Sequence, residues 1–187
     1  MRLAIVYILG NAQGINLRAG LMRSWLRNRR HSGENVLVMK PMTWRADMKD
    51  ESEILDAWEP DFTIGIGYSW GFGVGMRDLT RYAKTKIDIA IAIDPVFRSR
   101  VFPKWLRLNP LSLTRYGEIR LRPHSVGTLH LFRQFKAPPY GRDVRDDGYG
   151  RLIRHHELPC GHIEADDDPR VHEFIDSTIE RHVEAYA

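Results

Sequence analysis

Apolar residues fill positions 3 to 9 without a break, as Leu-Ala-Ile-Val-Tyr-Ile-Leu, and Gly10 and Asn11 end the run. A short, continuous apolar stretch closed by turn residues predicts a strand covered on both faces. Leu17, Leu21, Met22, Trp25 and Leu26 then recur at helical spacing. They predict a helix from Asn16 to Arg30, whose arginine-rich end suits a helix C-terminus. A turn from His31 to Asn35 leads into a second strand, Val36 to Met39. Asp47 to Trp58 has a helical pattern stopped by Pro60. Phe62 to Tyr68 predicts a third strand, Gly71 to Ala83 a helix with a glycine-rich start, and Ile87 to Ile93 a fourth strand. Strand and helix therefore alternate over residues 1–94, which argues for a parallel sheet with right-handed crossovers.

The pattern changes after Asp94. Pro95, Pro103, Pro110 and Pro123 interrupt residues 95–123, where neither period is sustained. A strand is predicted at Val126 to Phe132 and a last one at Leu152 to Leu158, with an irregular stretch over 137–150 between them. Pro159-Cys160-Gly161-His162 follows. Pro169 opens a closing helix with Val171, Phe174, Ile175, Ile179 and Val183 mostly on one face. The expected architecture is α/β, a three-layer sandwich with a mostly parallel central sheet of about six strands. Residues 1–187 form one domain, with 95–123 as a basic, lid-like insertion.

Composition narrows the picture. The 187 residues are 43% hydrophobic and 28% charged, which excludes a disordered or fibrous chain. One cysteine rules out an intramolecular disulfide framework and leaves the compartment open. No apolar run approaches the roughly 18 residues of a membrane helix. The opening run passes straight into a turn without a small-x-small cleavage site, so the cytoplasm is the favoured compartment. The net charge of +4 is a mild excess. It is concentrated in residues 95–123, where seven Arg or Lys stand against one acid, Glu118. Phe97, Phe102, Trp105 and Leu106 lie among these charges. The mixture fits a solvated loop, or a lid that meets an anionic surface or substrate. Basic and aromatic residues do not recur at the spacing of a nucleic-acid module, so nucleic acid is not an expected partner.

Candidate chemistry centres on Gly67-Tyr-Ser69-Trp-Gly71, placed between a predicted strand and a predicted helix. In a turn of this kind the flanking glycines leave room for a sharp backbone, and the serine hydroxyl is held clear of the sheet. The backbone N–H of Trp70 is then placed to donate to an oxyanion. The same region contains Gly67-x-x-x-Gly71-x-Gly73, a spacing used by short-chain dehydrogenases for a phosphate-binding turn. Two strand–helix units precede it, however, and too few residues follow for the rest of that fold. Tyr82-Ala-Lys-Thr-Lys86 lies too close to these glycines to serve as that family's catalytic pair.

A serine nucleophile needs a base, and the base needs an orienting carboxylate. His162, in the loop after the last strand, is the expected base. His155 and His156 fall within a predicted strand and read as structural. His124 and His130 have no partner at metal-ligand spacing. His155, His156, His162, Glu164 and Asp166 form a group without a recognised metal spacing, and no metal or cofactor is expected. The acid is Asp94, which ends a predicted parallel strand beside the serine strand, or one of Asp143, Asp146 and Asp147, which read as solvated loop residues.

With these residues the chain resembles the α/β-hydrolase superfamily, in a small form like cutinases and short lipase-like esterases. The resemblance covers nearly the whole chain. The order Ser69, Asp94, His162 matches the superfamily's nucleophile, acid and histidine. Tyr68 matches the residue that cutinase-like enzymes carry before the nucleophile, and Ile93-Asp94-Pro95 is similar to the acid position of pancreatic-type lipases. Many members place the acid one strand later, at the position of Asp143 to Asp147. Gly161-His162 followed by Asp168-Pro169 and a helix resembles the superfamily's C-terminus. The resemblance implies a minimal α/β-hydrolase fold without its usual first two strands. It also implies a second oxyanion donor at the backbone of Asn11 or Ala12, and a serine hydrolase acting on a small-molecule or lipid-like ester or thioester. The loop Gly10-Asn-Ala-Gln-Gly14 departs from the usual His-Gly or Gly-Gly-Gly, and Trp70 and Phe72 are bulky for the turn. A non-catalytic binding protein of the same fold and a nucleotide-dependent reductase are the alternative functions.

Overall fold

The computed structural model describes residues 1–10, 20–97, 118–136, 139–146 and 153–186. Its centre is a sheet of seven strands: β1 (Leu3–Leu9), β2 (Val36–Val38), β3 (Met42–Thr43), β4 (Phe62–Tyr68), β5 (Ile87–Ile93), β7 (Val126–Gln134) and β9 (Ile153–Leu158). The order is β2-β1-β4-β5-β7-β9, and short β3 pairs with the C-terminal half of β1 beyond β2. Every pairing is parallel. The continuous apolar runs of β1, β4 and β5 have the pattern that burial on both faces requires. All seven residues of β1 are fully buried.

Helices cover both faces. On one, α1 (Gly20–Asn28) and α4 (Pro169–Tyr186) set Leu21, Met22, Val171, Ile175 and Ile179 against Ile5, Tyr7, Ile66 and Ile91. On the other, α2 (Met48–Trp58) and α3 (Arg77–Tyr82) set Met48, Leu55 and Leu79 against Val6, Ile8 and Ala90. Asn28 and Tyr7 form a buried polar cluster at the α1–α4 seam. Asn28 donates to the Tyr7 hydroxyl at 3.1 Å and to Asp176 at 2.9 Å. Asp47 caps α2 by accepting the Lys49 N–H at 3.0 Å, and Asp168 caps α4 just ahead of Pro169, which needs no N–H partner.

Three expectations are corrected. Residues 118–121 and 143–146, both expected to be irregular, are strands β6 (Glu118–Leu121) and β8 (Asp143–Asp146). They form a separate two-stranded parallel sheet that buries Ile119, Leu121 and Val144 beside α3. Four residues carry too few alternations for the period to stand out. Asp143 and Asp146 therefore belong to a strand rather than a loop, and Asp143 is ion-paired with Arg133. The helix expected from Gly71 begins as a π-helical turn, Gly71–Met76, and becomes α-helical only at Arg77. Asp147, and residues 98–117 of the basic insertion, lie outside the described residues. Among the described residues no helix is long and apolar enough to cross a membrane.

Candidate active site

Parallel register assembles the site. Tyr68 of β4 pairs with Ile93 of β5, and Ile93 pairs with Phe132 of β7, so β4 and β5 end level at the C-terminal edge while β7 runs two residues further, to Gln134. The ladder continues one residue further on each strand: Ser69 N–H donates to the Ile93 carbonyl at 2.9 Å and Asp94 N–H to the Phe132 carbonyl at 2.7 Å. Ser69 and Asp94 thus emerge side by side, where open α/β sheets bind ligands. Strand β9 pairs with β7 up to Gln134–Leu158, and its following loop returns across this edge with His162.

The turn at Ser69 is left-handed, with φ 53°, a conformation that costs a residue bearing a Cβ. Its surroundings hold it there. The Ser69 carbonyl accepts two N–H groups, from Gly73 at 3.0 Å and Val96 at 3.1 Å. A Cβ on Gly71 would lie 2.2 Å from the Ile8 carbonyl oxygen, and one on Gly73 2.1 Å from that of Val96. These glycines let the π-helical turn lie directly on neighbouring backbone. The space beside their Cα atoms is filled by backbone of β1 and of the segment after β5.

Ser69 Oγ lies 2.9 Å from His162 Nε2, and His162 Nδ1 lies 2.5 Å from Asp94 Oδ2. An ionised carboxylate only accepts, so Nδ1 carries the hydrogen and Nε2 is left as the acceptor for the serine hydroxyl. Asp94 is fully buried, and its other oxygen accepts the Gln134 N–H at 3.1 Å. His162 is 11% exposed, open enough to exchange a proton with a substrate. Its turn is fixed by Glu164, which accepts the Gly161 N–H at 2.9 Å, and by the Tyr68 hydroxyl, which donates to the His162 carbonyl at 2.6 Å.

The structure therefore brings Ser69, His162 and Asp94 together. It does not bring Asp143 to them, since that carboxylate faces Arg133. Trp70 directly follows Ser69 and starts the helical backbone, with φ −66° and ψ −21°. Its indole meets Trp44 edge-on, with ring centroids 4.9 Å apart. Asn11 and Ala12 lie outside the described residues.

No protein-family model matches the chain, and no curated protein is significantly similar to it.

Cys160, His130 and His156 are not members of this relay. The Cys160 thiol is pushed up by burial and by the nearby Asp168 carboxylate, so it remains protonated at neutral pH and is no thiolate nucleophile. His130 and His156 stack 5.5 Å apart, with Phe132 against His156 and Phe174 against both. Their nitrogens approach to 3.3 Å, a pairing that sequence spacing does not reveal. Burial lowers His130 to about 4 and also lowers His156. Among the described residues no three His, Cys, Asp or Glu side chains group as metal ligands. Two contacts at the site had no sequence signal. Gln134 acts through its backbone N–H, and any residue but proline supplies one. Tyr68 is visible in the motif, but its reach to residue 162 is not.

Proposed function

We propose that the chain is a serine hydrolase of minimal α/β-hydrolase fold, cleaving a carboxylic ester or thioester through an acyl-enzyme. The observation that carries this reading is the continuous relay Ser69 Oγ–His162 Nε2, His162 Nδ1–Asp94, built on a left-handed serine. An idle serine at a tight turn gives no reason for a buried carboxylate to orient an imidazole toward it.

In this reaction Ser69 Oγ attacks the substrate carbonyl carbon as His162 Nε2 takes the hydroxyl proton. The backbone N–H of Trp70 donates to the oxyanion; the resemblance implies a second donor at Asn11 or Ala12, which lie outside the described residues. Collapse of the tetrahedral intermediate breaks the bond to the leaving alkoxide or thiolate, which takes the proton from Nε2. Water then attacks the acyl-enzyme by the same route, which regenerates the serine. Asp94 holds the imidazole and stabilises its cationic form throughout.

The test is labelling by a fluorophosphonate, with turnover measured on p-nitrophenyl esters of increasing chain length. The expected result is a single label on Ser69, lost in Ser69→Ala and His162→Ala, with each substitution costing on the order of 10⁴ or more in turnover. The double variant should be no worse than either single one, because the residues act as a unit. Activity of Ser69→Ala within about tenfold of wild type overturns the assignment. Absence of label and turnover in a folded wild-type chain makes it a binding protein of this fold, and stoichiometric NADPH binding instead favours the reductase.

A further inference from the structure

Tyr68 is the last residue of β4, immediately before the nucleophile, and three independent contacts meet on its side chain. The hydroxyl donates to the His162 carbonyl at 2.6 Å, a bond spanning 94 residues of chain. The ring stacks on the His162 imidazole, with centroids 5.2 Å apart and planes 27° from parallel. The ring also faces Gly10, the first residue after β1, where an added Cβ would lie 2.8 Å from Tyr68 Cδ1 and 3.1 Å from Ser69 Cβ. The side chain is 5% exposed.

We infer that Tyr68 is a positioning residue that clamps the His162 loop to the nucleophile strand, setting the imidazole between Ser69 and Asp94. The inference rests on the hydrolase reading in taking His162 as the base, but its geometry stands without it. Further along, the His162 loop is anchored by buried Ala165 and by the ion pair of Asp167 with Arg23. Gly161 and Glu164 bond to each other within the turn, which shapes the turn without tying it to the sheet. Tyr68 supplies the tie, because β4 is an interior strand whose end cannot drift. The hydroxyl fixes the loop by its backbone, and the stacked ring limits rotation of the imidazole about its own bonds. Burial, with nearby carboxylates including Asp166 and Asp94, pushes the phenol well above its ordinary value, so it remains an O–H donor at any working pH. Gly10 completes the clamp by leaving the ring room. Gly10, the residue that follows β1, thereby lies against the same side chain that fixes the base.

The test is Tyr68→Phe, which removes one oxygen and keeps the buried ring. Its first readout needs no turnover: the low-field proton resonance of His162 Nδ1–H and its exchange with water. Loss of one buried hydrogen bond at the anchor should speed that exchange about tenfold, or broaden the resonance away, with the fold intact by thermal melting. On p-nitrophenyl butyrate kcat should fall about tenfold while KM stays within about twofold, since misplaced bases slow chemistry rather than binding. Replacing Tyr68 by 4-aminophenylalanine restores a donor at the same position and should restore both values. An unchanged resonance and exchange rate in Tyr68→Phe overturns the inference, as does failure of 4-aminophenylalanine to rescue. A wild-type chain that shows the resonance but never labels at Ser69 instead refutes the hydrolase reading and leaves the clamp standing.

Discussion

Asp94→Asn is the substitution whose consequence the geometry specifies most closely. The two carboxylate oxygens of Asp94 have different partners: Oδ2 accepts from His162 Nδ1 at 2.5 Å and Oδ1 accepts from the Gln134 N–H at 3.1 Å. An asparagine has one acceptor and one donor, and Gln134 decides how they are placed. If the amide oxygen stays on the Gln134 N–H, the NH₂ faces Nδ1. The imidazole must then carry its hydrogen on Nε2, where it cannot accept the Ser69 proton. The flipped amide keeps the productive tautomer but sets its NH₂ against the Gln134 N–H, in a fully buried site. Each unpaired buried donor costs about 1–3 kcal/mol, so the productive arrangement is disfavoured by a factor of about 5–150 for each of the two. A neutral amide also withdraws the charge that stabilises the imidazolium. Together these should lower kcat on the order of 10³–10⁴. The assay is steady-state hydrolysis of p-nitrophenyl butyrate, with thermal melting to confirm the fold and Asp143→Ala as comparison. Asp143→Ala should lose less than about tenfold, because its partner is Arg133. A mild effect of Asp94→Asn beside a damaging Asp143→Ala would refute both the tautomer reasoning and the choice of acid.

Ser69→Gly should be more stable than Ser69→Ala by about 1 kcal/mol, a shift of about 2–4 °C in Tm, since φ 53° penalises a Cβ; equal melting points would argue against strain at this turn. Gly71→Ala should cost about 4 kcal/mol or more, or prevent folding, because its Cβ would lie 2.2 Å from the Ile8 carbonyl oxygen. Gly33→Ala, whose Cβ would meet nothing nearer than 4.0 Å, should stay within about 0.5 kcal/mol by urea unfolding. Stability should fall on acidification from about 6.5, the ordinary histidine value, to about 4, the folded value of His130. In that window the unfolded chain binds protons that the native stack of His130 and His156 refuses, and His130→Gln should flatten the Tm–pH curve there. A curve of unchanged slope in the variant would remove His130 as the cause.

Much of the scaffold was legible along the chain. Strands β1, β4 and β5 are buried on both faces, so each appears as an unbroken apolar run whatever its neighbours are. Asp47 and Pro169 mark helix starts through local backbone chemistry. Ser69 announced itself because a left-handed turn between strand and helix demands glycine on both sides. His162 and Asp94 were nameable as partners from their places at the ends of strands. Other features left no trace. Strands β3, β6 and β8 are too short for a period, and their pairing depends on what the rest of the fold sets beside them. Asp94 ends an apolar stretch and Asp143 follows Gly141-Arg142, but both lie at strands and both carry a carboxylate. Only the order β4-β5-β7, fixed by which helix covers which face, puts one beside His162 and the other beside Arg133. The Tyr68–His162 bond and the Gln134–Asp94 bond are of the same kind. Sequence periodicity reports how one element meets its surroundings. Contacts between residues 40 to 94 positions apart come from the register of neighbouring strands, which exists only once the sheet has formed.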